Sequence, residues 1–389
     1  MLIPYSTERQ LQRTPWATIA LIGANAAVAV LTLASPERTL LLAFSPDTFH
    51  WWQPLTAMFT HGGIEHLVGN MLILWVFGTH VEDTIGIPKF LALYFSAGCA
   101  AELLQIAGDL AMLGHLRGGL GASGCIMGPV ALFATRYRHV KVNIFYWWYY
   151  RIGTWQVDAV YVAAFYVVLD VLFGSLGFFG FHDGVAHFAH LGGFGAGLGW
   201  AFGLNLPAAA ATDEAREEAA AFASAGAFGA AAARLEAALQ RRPNDPDLHK
   251  QAATYFGLRE KTQGRAVMHW SQALRLWISR GQWDKVVEEW PKVTRQFAPQ
   301  QFEAEILCEV GDALERGGQY ADAAGAYEAA VRRRGNGQDA PAAALRLGEL
   351  LERMGYGAEA RRWYEYVMRT WPDTIKSLEA ASRLRRVSG

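Results

Sequence analysis

Hydrophobic and polar positions follow two regimes along this chain. Over 16–203 the apolar residues gather into six stretches, roughly 16–34, 64–81, 88–107, 119–135, 155–173 and 184–204, parted by segments carrying Pro, Gly, Trp and charge. A helix needs about 20 predominantly apolar residues to cross the hydrocarbon core of a bilayer. The pattern therefore predicts six membrane helices. From Asp213 onward the chain is rich in Ala, Glu, Arg and Gln and reads as soluble helix. The expected organisation is all-α: a membrane domain over 1–206, a linker over 207–212 (PAAAAT), and a soluble helical domain over 213–389.

The first stretch follows Arg9 and Arg13, as in a secretory signal, but it is longer than a signal's apolar region and no clear cleavage site follows. It is read as a span. Lys and Arg favour cytoplasmic loops. Arg9 and Arg13, Lys89, and the group Arg136, Arg138, Lys141 and Arg151 fall on one side of the six spans, against Arg38 and Arg117 on the other. This bias puts the N-terminus in the cytoplasm, and six spans return the soluble half there. Trp51-Trp52 and Trp147-Trp148 suit the two interfaces.

Within the soluble half a frame recurs. Gly318-Gln319-Tyr320 with Ala323, Tyr327 and Ala330 returns 37 residues later as Gly355, Ala360, Tyr364 and Val367. Gly281-Gln282-Trp283 with Val286, Trp290 and Val293 fits the same frame, as does Gly226-Ala227-Phe228 with Ala231, Leu235 and Ala238. The unit is two helices joined by a tight turn: Gly relaxes the turn, a small residue permits close approach, and an aromatic fills the groove. Gly311 and Gly348 supply small residues in the first helices, where Leu274 and Ala219 stand in the other two units. The pattern resembles the tetratricopeptide repeat, with an extra helix near 245–260 interrupting the spacing. Such stacks present a protein-binding face, which implies an unknown cytoplasmic protein partner. The plainer alternative is a helical domain with no partner.

Composition adds little. A net charge of −1 with Lys and Arg mixed among acids gives no clustered cationic surface, so no nucleic-acid partner is expected. Cys99, Cys125 and Cys308 are widely spaced, form no CxxC pair, and read as structural thiols.

Polar side chains inside spans are costly and mark function. Glu65, His66, Asn70 and His80 lie in the second stretch, Ser123 opens the fourth, and His187 and His190 lie in the sixth. Ser123, His66, Asn70 and His190 all fall toward the external ends of their helices. A serine hydroxyl needs a base and needs donors aimed at the oxyanion formed on attack. His190 fits the base. His66 and Asn70, four residues apart on one helical face, together with the Ser123 backbone N–H, fit the oxyanion site. Gly121 and Gly124 bracket the serine, and Gly193 and Gly197 would let the sixth span approach the fourth closely.

These motifs resemble the rhomboid family of intramembrane serine proteases over roughly 50–200. The matching elements are the HxxxN of His66 to Asn70, the 78–82 end of the second span, the GxSG of 121–124, and Ala189-His190-Leu191-Gly192-Gly193. The resemblance implies peptide-bond hydrolysis by a Ser123–His190 dyad without an acidic third member. It implies oxyanion donors at His66 and Asn70, substrates that are single-span membrane proteins cut near the outer face, and a water cavity open to that side. It also suggests that Glu82 braces an adjacent loop. No cofactor and no metal are implied. Gln53 follows Trp52 where the family often has Arg, and Met127 stands where some members carry an aromatic packed on the catalytic histidine.

Simpler readings compete with these. Ser123 alone would be a helix-packing residue; His187 and His190 alone would suggest zinc, but no third ligand is evident; Asp170, near the outer end of the fifth span, either lines the water cavity or, the favoured reading, is an interface carboxylate solvated there. His61, His80, His115 and His182 receive no role. The alternatives to a protease are a proteolytically silent relative that binds membrane helices as a scaffold or quality-control factor, and a transporter, for which no internal repeat between spans is found. A multi-pass protein of a bacterial inner membrane is the expected setting.

Overall fold

A computed structural model describes residues 2–179, 183–333 and 339–387. His182 lies outside them. The chain divides into two compact units, Met1–Ala210 and Ala211–Gly389.

In the first unit six apolar helices occur where the six stretches were read: α1 (Trp16–Thr32), α2 (Ile64–Ile85), α3 (Ile87–Leu113), α4 (Ser123–Arg136), α5 (Ala159–Leu176) and α6 (His187–Gly203). Three helical segments, Ile64–Ile85, Ile87–Leu113 and Ala159–Phe179, are long and apolar enough to cross a membrane, and α1 is a shorter apolar helix. Helix α4 begins at Ser123 rather than 119, because the backbone before it is engaged elsewhere: Gly119 exchanges hydrogen bonds with Phe44, and the Gly121 N–H donates to the Ala57 carbonyl at 2.9 Å. Helix α4 packs between α3 and α6. Leu74, Phe77, Phe90, Leu93, Tyr94 and Phe133 fill the core beneath.

The expectation of an all-helical chain fails in one place. Residues Lys141–Trp148 (β2) and Arg151–Asp158 (β3) form a hairpin, and Leu2–Thr7 (β1) adds to it, giving an antiparallel sheet in the order β1-β2-β3. The register pairs Leu2 with Tyr146 and Lys141 with Asp158. Val, Ile, Phe, Tyr, Trp and Thr dominate these strands, as suits a pleated, half-buried surface. The segment had been read as a charged interfacial loop and the start of the fifth span; the strand sets that span back to Ala159. Thr7 Oγ1 lies 2.8 Å from His80 Nε2, and Arg9 pairs with Asp83 at 2.9 Å, tying β1 to α2.

The second unit is helical. Helices Leu206–Ser224 (α7), Phe228–Leu239 (α8), Pro246–Gly257 (α9), Gln263–Ser279 (α10), Trp283–Gln296 (α11), Ala304–Arg316 (α12), Tyr320–Arg332 (α13), Asp339–Arg353 (α14), Gly357–Thr370 (α15) and Ile375–Val387 (α16) follow one another through short turns. The residues read as a linker, 207–212, lie inside α7: alanine is the strongest helix former, and proline is tolerated in a first turn. The four glycines of the repeated frame, Gly226, Gly281, Gly318 and Gly355, all adopt positive φ, between 68° and 86°. At each, the next residue's N–H reaches back five positions, as from Gln319 to the Leu314 carbonyl at 2.8 Å and from Tyr356 to that of Leu351 at 2.9 Å. This is the Schellman termination, which needs a left-handed residue. A methyl group at Gly311 would lie 2.5 Å from Tyr327 Cε1, and one at Gly348 2.6 Å from Tyr364 Cε1, so each aromatic sits in the notch left by its glycine. The interposed helix near 245–260 is α9, capped by Asp245.

Candidate functional site

Ser123 is the first residue of α4. Its backbone N–H therefore has no acceptor within the helix and faces outward from the positive end of the helix dipole. Two residues earlier, Gly121 has φ +125°, a conformation that L side chains rarely adopt. A methyl group there would lie 2.9 Å from His66 Cε1, 3.1 Å from His66 Nε2 and 3.8 Å from Ser123 Oγ. The bare glycine thus lets the His66 ring rest on the backbone beside the serine. The Gly62 N–H faces His66 Nδ1 at 3.4 Å, which makes Nδ1 an acceptor and leaves the hydrogen of the neutral ring on Nε2, the nitrogen turned toward Gly121.

Asn70, one turn further along α2, is 9% exposed, and its Nδ2 is buried with no hydrogen-bond partner among the described residues. An unpaired buried amide donor costs about 1–3 kcal/mol. It is spare hydrogen-bonding capacity on the same face as His66.

Helix α6 brings His190 through a run of close glycine contacts. A methyl at Gly193 would fall 2.0 Å from the Gly124 carbonyl oxygen, and one at Gly197 2.3 Å from that of Gly128. A methyl at Gly124 would fall 2.5 Å from Ala101 Cβ of α3 and 3.7 Å from the Ala189 carbonyl oxygen of α6, so the three helices meet at this glycine. Met127 is buried at this crossing, with its Cβ 3.3 Å from the methyl position of Gly193. Among the described residues no hydrogen bond joins Ser123 to His190; catalytic contacts are often long in unliganded enzymes.

His190 has a different partner. Its Nδ1 lies 2.9 Å from Asp170 Oδ1, and His187 Nδ1 lies 2.8 Å from the same oxygen. His187 Nε2 is 3.1 Å from both carboxylate oxygens of Asp183. Asp170 is 5% exposed, so its reading as an interface carboxylate is overturned: the sequence could not show that α5 would turn it onto two histidines of α6. The trio also answers the missing third ligand, since Asp170, His187 and His190 offer ligand atoms within 4.8 Å of one another. Those ring nitrogens meet the carboxylate at hydrogen-bond distance.

A cavity of about 270 Å³ opens beside the serine, lined by Ser123, Gly121, Glu102, Gln105, Val185 and Ala189 among others. Its mouth is braced by Asp109, which takes the Arg117 backbone N–H at 3.0 Å and the guanidinium at 2.7 and 2.9 Å. Glu82 stands elsewhere. Buried at the far end of α2, it accepts from the backbone N–H groups of Ala17 and Thr18 at 2.9 and 2.7 Å and from the Thr18 hydroxyl, so it caps α1.

Residues 48–206 match the family model described as the Rhomboid domain. The presenilin-associated rhomboid-like protein, mitochondrial, of Homo sapiens is 31% identical over 130 residues, 32% of this chain and 34% of that protein. Rhomboid protein 1, mitochondrial, of Saccharomyces cerevisiae is 35% identical over 88 residues, 22% of this chain and 25% of its own. Rhomboid-type serine protease 2 of Emericella nidulans is 31% identical over 154 residues, 40% and 26% respectively. The chain spans about a third of the length of the first of these relatives. The domain match and the apolar helices support a membrane protein. The mitochondrial names of two relatives do not fit the expected bacterial inner membrane. Together the domain match and these similarities support the rhomboid family for the stretch 48–206.

Proposed function

We propose that the membrane unit is an intramembrane serine endopeptidase. Ser123 is its nucleophile and His190 its general base and acid. The Ser123 N–H, His66 and Asn70 receive the oxyanion. The observation that carries this reading is the position of Ser123: it heads a helix, beside a cavity, with the His66 ring against Gly121. In the first step the Ser123 proton passes to His190 Nε2 while Oγ bonds to the scissile carbonyl carbon, whose π pair moves to oxygen. Collapse then expels the amine, which takes that proton. Water, deprotonated by the same nitrogen, releases the acyl group and restores Ser123. The Asn70 amide supports the oxyanion assignment, since it has a donor to give and nothing to give it to.

The substrates in this reading are single-span membrane helices, admitted from the bilayer beside the cavity. The six apolar helices of the first unit form a multi-pass bundle with both termini on the cytoplasmic side. The second unit is a tetratricopeptide-like stack that engages a protein partner. Its support is the Schellman turns and the two glycine–tyrosine notches at a constant spacing.

Labelling of the purified full chain with a fluorophosphonate tests the enzyme reading. Labelling is expected for the wild type and lost in Ser123→Ala and His190→Ala, with the fold of each verified by its thermal midpoint. A folded wild type that does not label, in detergent or in lipid, would shift the reading to a silent scaffold that binds membrane helices.

A further inference from the structure

The structure assigns a third, acidic member to this site: Asp170, a positioning residue that holds His190 with its hydrogen on Nδ1 and its Nε2 lone pair free for Ser123. The inference deepens the serine-protease reading and rests on it.

Hydrogen-bond stoichiometry carries the argument. An ionised carboxylate only accepts, so the His190 ring, 2.9 Å from Asp170 Oδ1 through Nδ1, must donate from that nitrogen. In a neutral imidazole the other nitrogen is then an acceptor, the form required of a base that takes a serine proton. Asp170 is buried on a different helix from His190, so the bond fixes the ring against rotation as well as its tautomer.

His187 completes the device. It lies between two carboxylates, with Nδ1 at 2.8 Å from Asp170 and Nε2 at 3.1 Å from Asp183. One hydrogen sits in each of these contacts. Whether the ring or Asp183 carries the second one, the four groups Asp170, Asp183, His187 and His190 together bear one negative charge while His190 is neutral. Taking the proton from Ser123 brings the cluster to neutrality. The arrangement therefore favours the charged His190 that exists only while the tetrahedral intermediate forms, which is where stabilisation accelerates the reaction. His66, which faces the serine from α2, is neutral in the tautomer set by Gly62 and leaves this balance unchanged. Asp183, with a side chain 30% exposed, links the cluster to the aqueous side. Asp170 neither gains nor loses a proton in this scheme.

The experiment is fluorophosphonate labelling of the full chain at varied probe concentration, which separates the maximal rate from the half-saturating concentration. Asp170→Asn is expected to lower the maximal rate by up to about 10⁴-fold, the loss found when the acidic partner of a catalytic histidine is amidated, with half-saturation within about twofold. Asp170→Glu should recover at least tenfold of that loss, and His187→Gln should cost less than Asp170→Asn. A wild-type maximal rate in folded Asp170→Asn would overturn the inference, as would activation of the wild type by zinc with loss to EDTA, which would make the trio a ligand set. Should Asp170→Asn not fold, Asp170→Ser decides: a reduced maximal rate at unchanged half-saturation supports the role, and an unchanged rate overturns it. Labelling of the wild type that persists in Ser123→Ala would instead sink the nucleophile reading itself.

Discussion

Five backbone groups converge on the Gln53 amide. Its Oε1 accepts from the N–H of Ser45 and His50 at 3.4 and 3.1 Å, and its Nε2 faces the carbonyls of Leu40, Leu41 and Thr48 at 3.3–3.5 Å. An uncharged amide thus does the anchoring for which related proteins often use arginine. Gln53→Leu should leave those groups unpaired, at about 1–3 kcal/mol each for the ones that stay buried, and a lowered thermal midpoint would show it. Asn70 predicts the opposite pairing of effects. Because its Nδ2 has no partner, Asn70→Ala should leave the midpoint unchanged or raise it while slowing labelling by about 10²- to 10³-fold, the usual loss for one oxyanion donor. A fall in both would mean the amide is structural. Ser123, His66, Asn70 and His190 stand out as candidates because each is a polar residue in an apolar run, where water cannot satisfy it. Asp170 stood out equally, but its role depends on which way α5 faces, and periodicity along a nearly all-apolar helix does not say. In the second unit Cys308 carries a thiol that burial, first of all, together with Asp339 and Asp312, pushes up to about 12. Iodoacetamide at neutral pH should leave it unmodified until the chain is unfolded, as peptide mapping would report.

At the scale of elements, α4 and α6 meet backbone to backbone. Gly193→Ala would put a methyl 2.0 Å from the Gly124 carbonyl, an overlap that only helix separation relieves. Overpacking of this kind costs about 1–3 kcal/mol, and because His190 rides on α6 the variant should lose labelling even where it still folds. The reverse result, full labelling with an unchanged midpoint, would mean the helices cross elsewhere. The glycine spacing made this contact readable in advance. The sheet was not readable, because Trp147, Trp148, Tyr149 and Tyr150 are also what a membrane interface selects, and their exposure, from 54% to 91%, fits either setting. The pairing of β1 with β2 joins residues far apart in sequence, which no local pattern records. The turn glycines of the second unit are the clearest case of legibility: the Schellman turn demands positive φ, and the sequence answers with glycine four times.

Across the membrane unit, the cavity beside Ser123 and the sheet occupy opposite ends. Helix α4 carries Ser123 at its start and Arg136 at its finish, about 20 Å apart for 14 residues at 1.5 Å each. The sheet and the Glu82 cap therefore lie at the far end from the cavity. Because β1 pairs with β2, Leu2 has Tyr146 for a neighbour, and Thr7 has Val142. A chain leaving the ribosome at about 5–20 residues per second would make β1 before its partner, by roughly seven to thirty seconds. During that interval the strand would emerge with its ladder groups unmet, while four apolar helices enter the membrane behind it. The sheet can close only after α4 and β2 have been made, so β1 waits through four helices for its partner, a clasp fastened between the fourth helix and the fifth.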